Sequence, residues 1–309
     1  MYRKKLVGVA IPAYNESELI EKTLGSIPGY VDIIYAVDDG STDDTAEKIV
    51  NFGDPRVVLI RKANGGVGSA ITAGYKKALE ENIDLVAVLA GDDQMDPKYL
   101  PDLLDPVIDG KADYTKGNRL VNSRYRKGMS NWRSLGNYLL TFLNKIVSGY
   151  WNVSDPQNGY TIISSYALKN LNLDEISRGY AFENDMLVKL NIYDMNVKSI
   201  PIPAKYADEK SHIHYPGFIL KTSLYLIKAL LWRSWHKYVV KLNPIGIFYL
   251  IGSFFIVTGF FALFTLNIMY IAIGIAMFGI ASILEIMRIK ILNAKLPEEK
   301  VEAKSLQEW

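Results

Sequence analysis

A cluster of acidic and amide side chains follows a short apolar run in the first third of the chain. Residues 84–89 read Asp-Leu-Val-Ala-Val-Leu, and the cluster after them consists of Asp92, Asp93, Gln94 and Asp96. Adjacent carboxylates repel each other unless water or a cation takes up their charge. Carboxylate and amide oxygens are the ligands that Mg²⁺ and Mn²⁺ prefer. The cluster therefore predicts a divalent-cation site, and the alternative is a solvated turn after a strand.

Polar loops follow each of the first four predicted strands. Apolar runs predict strands over residues 7–11, 33–37, 56–60 and 85–89, and amphipathic runs predict helices over 16–26, 42–52 and 68–80. Such alternation is typical of a parallel sheet covered by helices on both faces. The loops after the strands read PAYNE, DDGSTDD, KANGGVG and AGDDQMD. Since ligands bind at the carboxyl ends of such strands, we expect one site along this edge of the sheet.

The glycine-rich stretch NGGVGSA (64–70) has two interpretations. Gly66 and Gly68 partly match a dinucleotide-binding pattern, and the N-terminus of the following helix could hold a phosphate. The stretch follows the third predicted strand rather than the first. Tight packing between strand and helix is therefore the favoured interpretation.

The composition limits the chemistry available. The chain has 309 residues, and its 35 Lys and Arg against 33 Asp and Glu leave a net charge of only +2. It contains no cysteine, which excludes disulfides, thiolate zinc sites and a cysteine nucleophile. The length suffices for an α/β domain of about 200 residues and a further segment. The N-terminal apolar run is broken by Pro12, which predicts a first strand and not a secretory signal.

Two stretches, 119–151 and 216–243, contain basic and aromatic residues but no acidic residue. Basic helices with aromatic side chains are typical of a membrane surface. RNA binding uses similar residues, but long apolar runs follow the second stretch. The membrane is therefore the favoured partner, and we expect no nucleic acid.

The apolar runs cover residues 245–267 and 268–284 and carry no charge. A bilayer core needs about 20 apolar residues per helix, so the runs predict two spans joined by a turn at Thr265 to Asn267. The alternative is a buried helix pair. Basic residues flank both ends of the predicted hairpin: Lys237, Lys241, Arg288, Lys290 and Lys295. By the positive-inside bias both flanks lie in the cytoplasm, and a charged, mobile tail is expected from Leu296.

Five motifs, taken in their order along the chain, resemble those of family 2 glycosyltransferases with the GT-A fold. They are VAIPAYNE, VDDGSTDDT (37–45), NGGVGSA, AGDDQMDP (90–97) and DPQNGY (155–160). The resemblance covers roughly residues 5–215 and is strongest to the polyprenyl-phosphate, or dolichyl-phosphate, hexose synthases. It implies a mostly parallel sheet with flanking helices.

The resemblance implies roles for individual residues around a nucleotide-sugar. Pro12, Ala13, Tyr14, Glu16, Asp38 and Asp39 would hold its base and ribose. Asp92 matches the second carboxylate of the family's metal motif, and Gln94 follows it. The first carboxylate is replaced by Ala90, so Mg²⁺ or Mn²⁺ would rely on Asp92, Gln94 and the donor diphosphate, with Asp93 as a further donor group.

The resemblance also implies residues on the acceptor side. Arg119 would lie near the transferred phosphate or sugar, and Asp155 and Gln157 near the reacting groups. Glu183 and Asp185 occupy the place of an acidic catalytic motif, although Glu183 could also simply begin a helix. Lys210, Ser211 and His212 match a segment that closes on the donor.

The implied activity is an inverting transfer of a hexose from a UDP- or GDP-linked donor to a polyprenyl or dolichyl monophosphate. A phosphate monoester has a second pKa of about 6, so this nucleophile is already ionised and needs no strong general base. Transfer to a hydroxyl does need such a base. Lipid phosphate would be neutralised by Arg119, Arg124, Arg126 and Arg133.

The predicted organisation has four parts. A cytoplasmic GT-A domain spans residues 1–215 and includes a membrane-surface segment at about 120–150; the remaining parts are an interface helix (216–243), a transmembrane hairpin (244–288) and a cytoplasmic tail (289–309). Both termini would be cytoplasmic, and the hairpin is a candidate surface for homo-oligomers.

Two other functions remain open from the sequence. One is a membrane glycosyltransferase with a hydroxyl acceptor, although the Gln-x-x-Arg-Trp motif of processive synthases is absent. The other is a non-catalytic scaffold that binds a nucleotide-sugar, which the alanine at position 90 suggests. The sugar and the nucleotide are not determined.

Overall fold

A single mixed sheet forms the centre of the computed structural model, which describes residues 1–122, 125, 131–204, 215–261 and 268–307. Its strands are β1 (Val7–Ala13), β2 (Ile33–Asp38), β3 (Val57–Arg61), β4 (Leu85–Val88), β5 (Tyr114–Asn118), β6 (Thr161–Ser164) and β7 (Val197–Pro201). The strand order is β3-β2-β1-β4-β6-β5-β7. The four strands predicted from the sequence are β1 to β4.

Helices cover both faces of the sheet. They are α1 (Ile20–Ser26), α2 (Thr45–Asn51), α3 (Val67–Glu80), α4 (Leu100–Ile108), α5 (Asn131–Ser148), α6 (Ser165–Asn170), α7 (Phe182–Ile192), α8 (Tyr215–Ser234), α9 (Pro244–Phe261) and α10 (Ile268–Gln307). A π-helical turn, Trp235–Val239, extends α8.

The alternation of side chains along the strands produces two hydrophobic cores. In β1, Val9 and Ile11 face the core that contains α1, α2 and α4, whereas Ala10 faces the core that contains α3, α6 and α7. Successive side chains of a strand point to opposite faces of the sheet, so a continuous apolar run is buried on both.

All strands except β6 run in the same direction. β6 pairs antiparallel with both β4 and β5, whereas β5 and β7 are parallel. Because β6 is reversed, the residues that precede it lie at the same edge as the residues that follow the other strands. This reversal brings the loop 155–160 to the carboxyl-end edge.

The first helix begins later than the predicted residue 16. The backbone amides of Asn15 and Glu16 donate to the hydroxyls of Ser41 (3.0 Å) and Thr45 (2.9 Å). These bonds tie the loop after β1 to the segment after β2. The helix therefore begins only at Ile20.

The C-terminal helices leave the two predicted spans unconfirmed, and they differ from the prediction in the tail. Among the described residues one helix, Ile268–Arg288, is long and apolar enough to cross a bilayer, while Pro244–Gly259 is apolar but shorter. The predicted turn at residues 265–267 lies outside the described residues. Helix α10 continues through Gln307, where a mobile tail was expected. Residues 296–307 are mostly strong helix formers such as Glu, Lys, Ala and Leu, which favours this continuation.

Candidate active site

A pocket of about 230 Å³ lies at the carboxyl-end edge of the sheet. It is lined by residues from five of the segments that end or begin strands there and from the helices α3 and α7, and these include Pro12, Asp92, Gln94, Arg119, Gln157 and Glu183. All six were predicted from the sequence to lie in the site. The pocket also contains Ala90, which stands where related motifs carry an acid.

Of the acidic cluster after β4, Asp92 and Asp96 line the pocket and Asp93 does not. Asp92 and Gln94 line the pocket, and the backbone amide of Gln94 donates to Asp92 Oδ1 at 3.0 Å. Asp93 has a left-handed backbone conformation (φ 56°), and its carboxylate pairs with Lys22 Nζ on α1 at 2.7 Å. Adjacent side chains in this turn thus point in different directions. The pocket receives one of the two neighbouring carboxylates.

A buried ion pair holds the basic residue of the pocket. Arg119 donates to Asp155 from Nε (2.7 Å), from Nη2 (2.9 Å) and from its backbone amide (2.9 Å). Asp155 is fully buried, and it is not among the residues that line the pocket. Its placement supports a role in positioning Arg119, and its predicted location near the reacting groups stays a prediction.

Four of the residues predicted to hold the nucleotide lie together at the end of β1 and in the loop after it, but they differ in exposure. Pro12 lines the pocket, Ala13 is buried, and Tyr14 is 48% exposed on the loop. Glu16 follows on the same loop. An exposed tyrosine beside a pocket is available to pack against a ring such as a nucleotide base.

The two acids at the end of β2, Asp38 and Asp39, are buried and form hydrogen bonds within the protein. Asp38 accepts a 2.9 Å hydrogen bond from a backbone amide in the following loop. Asp39 forms a salt bridge with Lys62 and accepts amide hydrogen bonds from Gly65 (3.0 Å) and Gly66 (2.7 Å). Gly66 has φ +90°, and a side chain there would collide with a backbone carbonyl at 2.7 Å. Asp39 therefore shapes the glycine-rich loop, which fits the packing interpretation of that stretch.

Two acids at the start of α7 have different surroundings. Glu183 lines the pocket, and burial raises the pKa of its carboxyl, although the charge of Lys116 opposes this rise. Asp185 instead accepts hydrogen bonds from the Ser177 amide (2.7 Å) and from the Tyr225 hydroxyl on α8 (2.8 Å). Asp185 thus joins α7 to α8, and only Glu183 faces the pocket.

Gln157 lines the pocket, and its side chain forms a hydrogen bond with α7. Its Nε2 donates to Asn184 Oδ1 at 3.3 Å, and Asn184 is buried. The loop before β6 is therefore tied to the same helix that carries Glu183.

The sequence did not reveal Lys116, which lies in β5 beneath this pocket. Its side chain is fully buried, and its ammonium donates to the Asn158 carbonyl. Burial lowers the pKa of Lys116 to about 8. The only local signal was a lysine inside a short strand pattern, which a solvent-facing position explains equally well.

Several predicted residues cannot be placed against the pocket. Those outside the described residues are Arg124, Arg126, Lys210, Ser211 and His212, and for Arg133 only the backbone within α5 is described.

The donor atoms of the pocket are compatible with Mg²⁺ or Mn²⁺. No group of three or more His, Asp or Glu side chains suited to a metal is found in the part of the chain that the structure describes. Mg²⁺ usually takes only one or two protein carboxylates, with water and substrate phosphates as its other ligands. Asp92 and Gln94 fit that pattern.

An apolar surface lies on α5 and α8. Its exposed side chains are Leu139, Phe142, Leu224, Ile227, Leu231 and Trp235. On α8 these residues recur every three or four positions, so they form one stripe. The stripe borders a shallow groove of about 510 Å³ that also includes Lys228 and His236. An apolar helix face with a basic residue is suited to a membrane surface.

Comparison with known proteins finds that this chain is similar to glycosyltransferases. The sequence profile of glycosyl transferase family 2 matches residues 8–171. A UDP-N-acetylglucosamine–dolichyl-phosphate N-acetylglucosaminyltransferase from Methanococcus voltae is 29% identical over 66% of this chain and 87% of its own length. An undecaprenyl-phosphate mannosyltransferase from Micrococcus luteus is 32% identical over 62% of this chain and 80% of its own.

A solved structure has the same fold. Glucosyl-3-phosphoglycerate synthase from Mycobacterium tuberculosis, crystallised with Mn²⁺, UDP and glucosyl-3-phosphoglycerate, gives a TM-score of 0.54 at 22% identity. The match covers 74% of this chain and 80% of that chain. The predicted GT-A arrangement, a mostly parallel sheet with flanking helices, is confirmed.

Proposed function

This chain belongs to glycosyl transferase family 2, and on that premise we propose that it is an inverting hexosyltransferase with a polyprenyl or dolichyl monophosphate as acceptor. The donor is a UDP- or GDP-linked sugar. The observation that carries the proposal is the convergence of Asp92, Gln94 and Arg119 on one pocket. The names of two relatives, which act on dolichyl phosphate and undecaprenyl phosphate, support the acceptor class.

Different pocket residues would stabilise the negative charge of the donor diphosphate and of the acceptor phosphate. A divalent cation held by Asp92 and Gln94 would stabilise the charge of the departing nucleoside diphosphate. Asp155 holds Arg119 through Nε and Nη2, and the guanidinium lines the pocket, where its positive charge would attract a phosphate. Fixed charges of this kind stabilise a transition state without reorganising during the reaction.

The proposed step is a single in-line displacement. An oxygen of the acceptor phosphate forms a bond to C1 of the sugar, and the bond from C1 to the donor diphosphate breaks. The electron pair of that bond leaves with the nucleoside diphosphate, and the anomeric configuration inverts. Since the attacking phosphate is already ionised, no proton has to be removed from it.

Attachment to a membrane would bring a lipid acceptor to the protein. The apolar stripe of α8 and the candidate span Ile268–Arg288 support attachment to a bilayer. We propose that α9 and α10 form a two-helix transmembrane hairpin, with the catalytic domain and both termini in the cytoplasm. Lys237 and Lys241 before α9 and Arg288 near the end of the span support this orientation.

Glu183 favours a second candidate, a glycosyltransferase with a hydroxyl acceptor. It is a carboxyl group with a raised pKa in the pocket, and such a group can take a proton from a hydroxyl. The acceptor phosphate of the first proposal does not need this base. The two candidates therefore differ in their dependence on Glu183.

The test is a panel of nucleotide-sugars offered with a short polyprenyl phosphate and Mn²⁺, followed by mass spectrometry of the lipid. We expect one donor to give a lipid-phosphate sugar, and Glu183→Gln to retain much of that activity. Transfer only to hydroxyl acceptors, with loss of activity in Glu183→Gln, would favour the second candidate. Failure to consume any nucleotide-sugar would indicate a non-catalytic scaffold.

A further inference from the structure

Lys116 is a lysine whose side chain is fully buried. It lies in β5, and its ammonium donates to the carbonyl of Asn158. Within the described residues, no carboxylate lies close enough to form a salt bridge with it. A buried ammonium costs free energy unless nearby charges or acceptors compensate it, so its retention here requires an explanation.

The end of β5 holds the loop 155–160 at three points. Lys116 contacts Asn158, the Gly117 amide donates to the Tyr160 carbonyl at 2.9 Å, and Arg119 pairs with Asp155. A Cβ atom at Gly117 would lie 2.7 Å from the Asn158 side chain, so the strand and the loop are in close contact. The loop is the segment that contributes Gln157 to the pocket.

The ammonium of Lys116 also interacts electrostatically with charged groups in and next to the pocket. The charged groups that influence it are Glu183 on α7, Asp155 in the loop and Arg119 after β5. Tyr75 and Tyr114 lie near Glu183, and burial raises the pKa of both phenols, so they remain neutral. Asp155 is already paired with Arg119. Glu183 is therefore the carboxylate whose charge Lys116 offsets.

We infer that Lys116 is a positioning residue for the proposed transfer: it holds the loop 155–160 against β5 and offsets the charge of Glu183 beside an anionic donor. The inference rests on the proposed function for its effect on transfer. The positioning of the loop does not depend on which acceptor is used.

Two substitutions separate the hydrogen bond from the charge. Lys116→Gln keeps an N–H donor without a charge, and Lys116→Met removes both. Lys198→Met on the adjacent strand β7 is the matched control, because Lys198 is only partly buried and does not line the pocket. We expect Lys116→Gln mainly to raise the KM for the nucleotide-sugar. Lys116→Met should in addition lower kcat by about tenfold or more, since it loses a hydrogen bond from a charged donor.

The pH dependence provides a readout that a purely structural role would not change. Transfer by the wild type should decline as the pH rises through about 8, where Lys116 loses its proton. The ordinary pKa of lysine, 10.5, applies to the unfolded chain, so between these values the unfolded state binds more protons and the contribution of Lys116 to the free energy of unfolding rises with pH. Deprotonation of Lys116 therefore does not unfold the protein, and the expected decline is a loss of transfer activity in the folded state. Lys116→Met and Lys116→Gln should lack this alkaline decline, whereas Lys198→Met should keep it.

Hydrogen exchange of the full-length protein in detergent tests the positioning separately. Lys116→Met should accelerate exchange at residues 158–160 without a matching change in the sheet amides, and Lys198→Met should not. Faster exchange in a protein that consumes no nucleotide-sugar would refute the proposed function but retain the positioning. Unchanged exchange, together with wild-type KM, kcat and pH profile in both variants at position 116, would overturn the inference.

Discussion

Arg233→Met should destabilise the protein strongly because it breaks a buried ion pair between α8 and α10. Both Arg233 and Glu285 are essentially inaccessible to solvent. Arg233 pairs with Glu285 and also donates to the Ile146 carbonyl (2.9 Å) and to Asn191 Oδ1 (3.2 Å). These contacts join α5, α7, α8 and α10. The cluster is a buried polar connection between the α/β domain and the candidate span.

The magnitude follows from what remains after the substitution. Glu285 would keep only the hydroxyls of Tyr238 and Tyr249 as hydrogen-bond donors among its contacts in the structure. Removing one partner of a buried ion pair typically costs about 3–5 kcal/mol, because the other charge stays buried. A domain has a free energy of unfolding of only about 5–15 kcal/mol, so the loss is a large fraction of the total.

Chemical unfolding in detergent micelles, followed by tryptophan fluorescence, measures the effect. Lys228→Met is the control, since Lys228 is an exposed cation on the same helix. The double variant Arg233→Met/Glu285→Leu should recover most of the lost stability, because apolar replacement of both partners is often neutral or stabilising. If Arg233→Met unfolds within about 0.5 kcal/mol of the wild type, as a surface substitution does, the assignment of this ion pair is wrong.

Asp92→Ala should remove nearly all transfer, whereas Asp93→Ala should retain most of it; near-normal release of nucleoside diphosphate by Asp92→Ala at saturating Mn²⁺ would contradict the cation assignment. Asp155→Asn should lower transfer by about tenfold while donor binding by calorimetry persists, because Arg119 loses its orientation. A rate of this variant that recovers as the pH rises would favour a hydroxyl acceptor. Leu231→Glu should weaken co-sedimentation with vesicles at an unchanged melting temperature, and unchanged co-sedimentation would exclude lipid contact by this face of α8.

The positions of the first four strands could be predicted because their signal is local. Continuous apolar runs indicate strands buried on both faces, and polar loops at their ends indicate the functional edge. Asp92, Gln94, Arg119, Gln157 and Glu183 were predicted in this way or through family resemblance, and the structure brings them to one pocket. The reversal of β6, which places the loop before it at this edge, was not predicted.

The direction of individual side chains required the tertiary structure. Asp92 and Asp93 are neighbours of the same type, yet one lines the pocket and the other pairs with Lys22. The carboxylate of Asp39, whose predicted contact with the nucleotide stays a prediction, accepts the amides of a loop 26 residues further on. A one-residue difference in backbone conformation changes the direction of a side chain, and composition does not report it.

The sequence by itself determined the family, the parallel sheet and the apolar C-terminal runs, because these depend on motif order and on short-range periodicity. The tertiary structure alone decided which buried charges are compensated. The second apolar run was expected to end at Leu284, before the charge of Glu285, but Arg233, 52 residues away, neutralises that carboxylate within the protein. Lys116 was missed for the same reason, since its acceptor lies 42 residues away. The free energy of a buried charge depends on partners that packing brings together, and no local pattern encodes them.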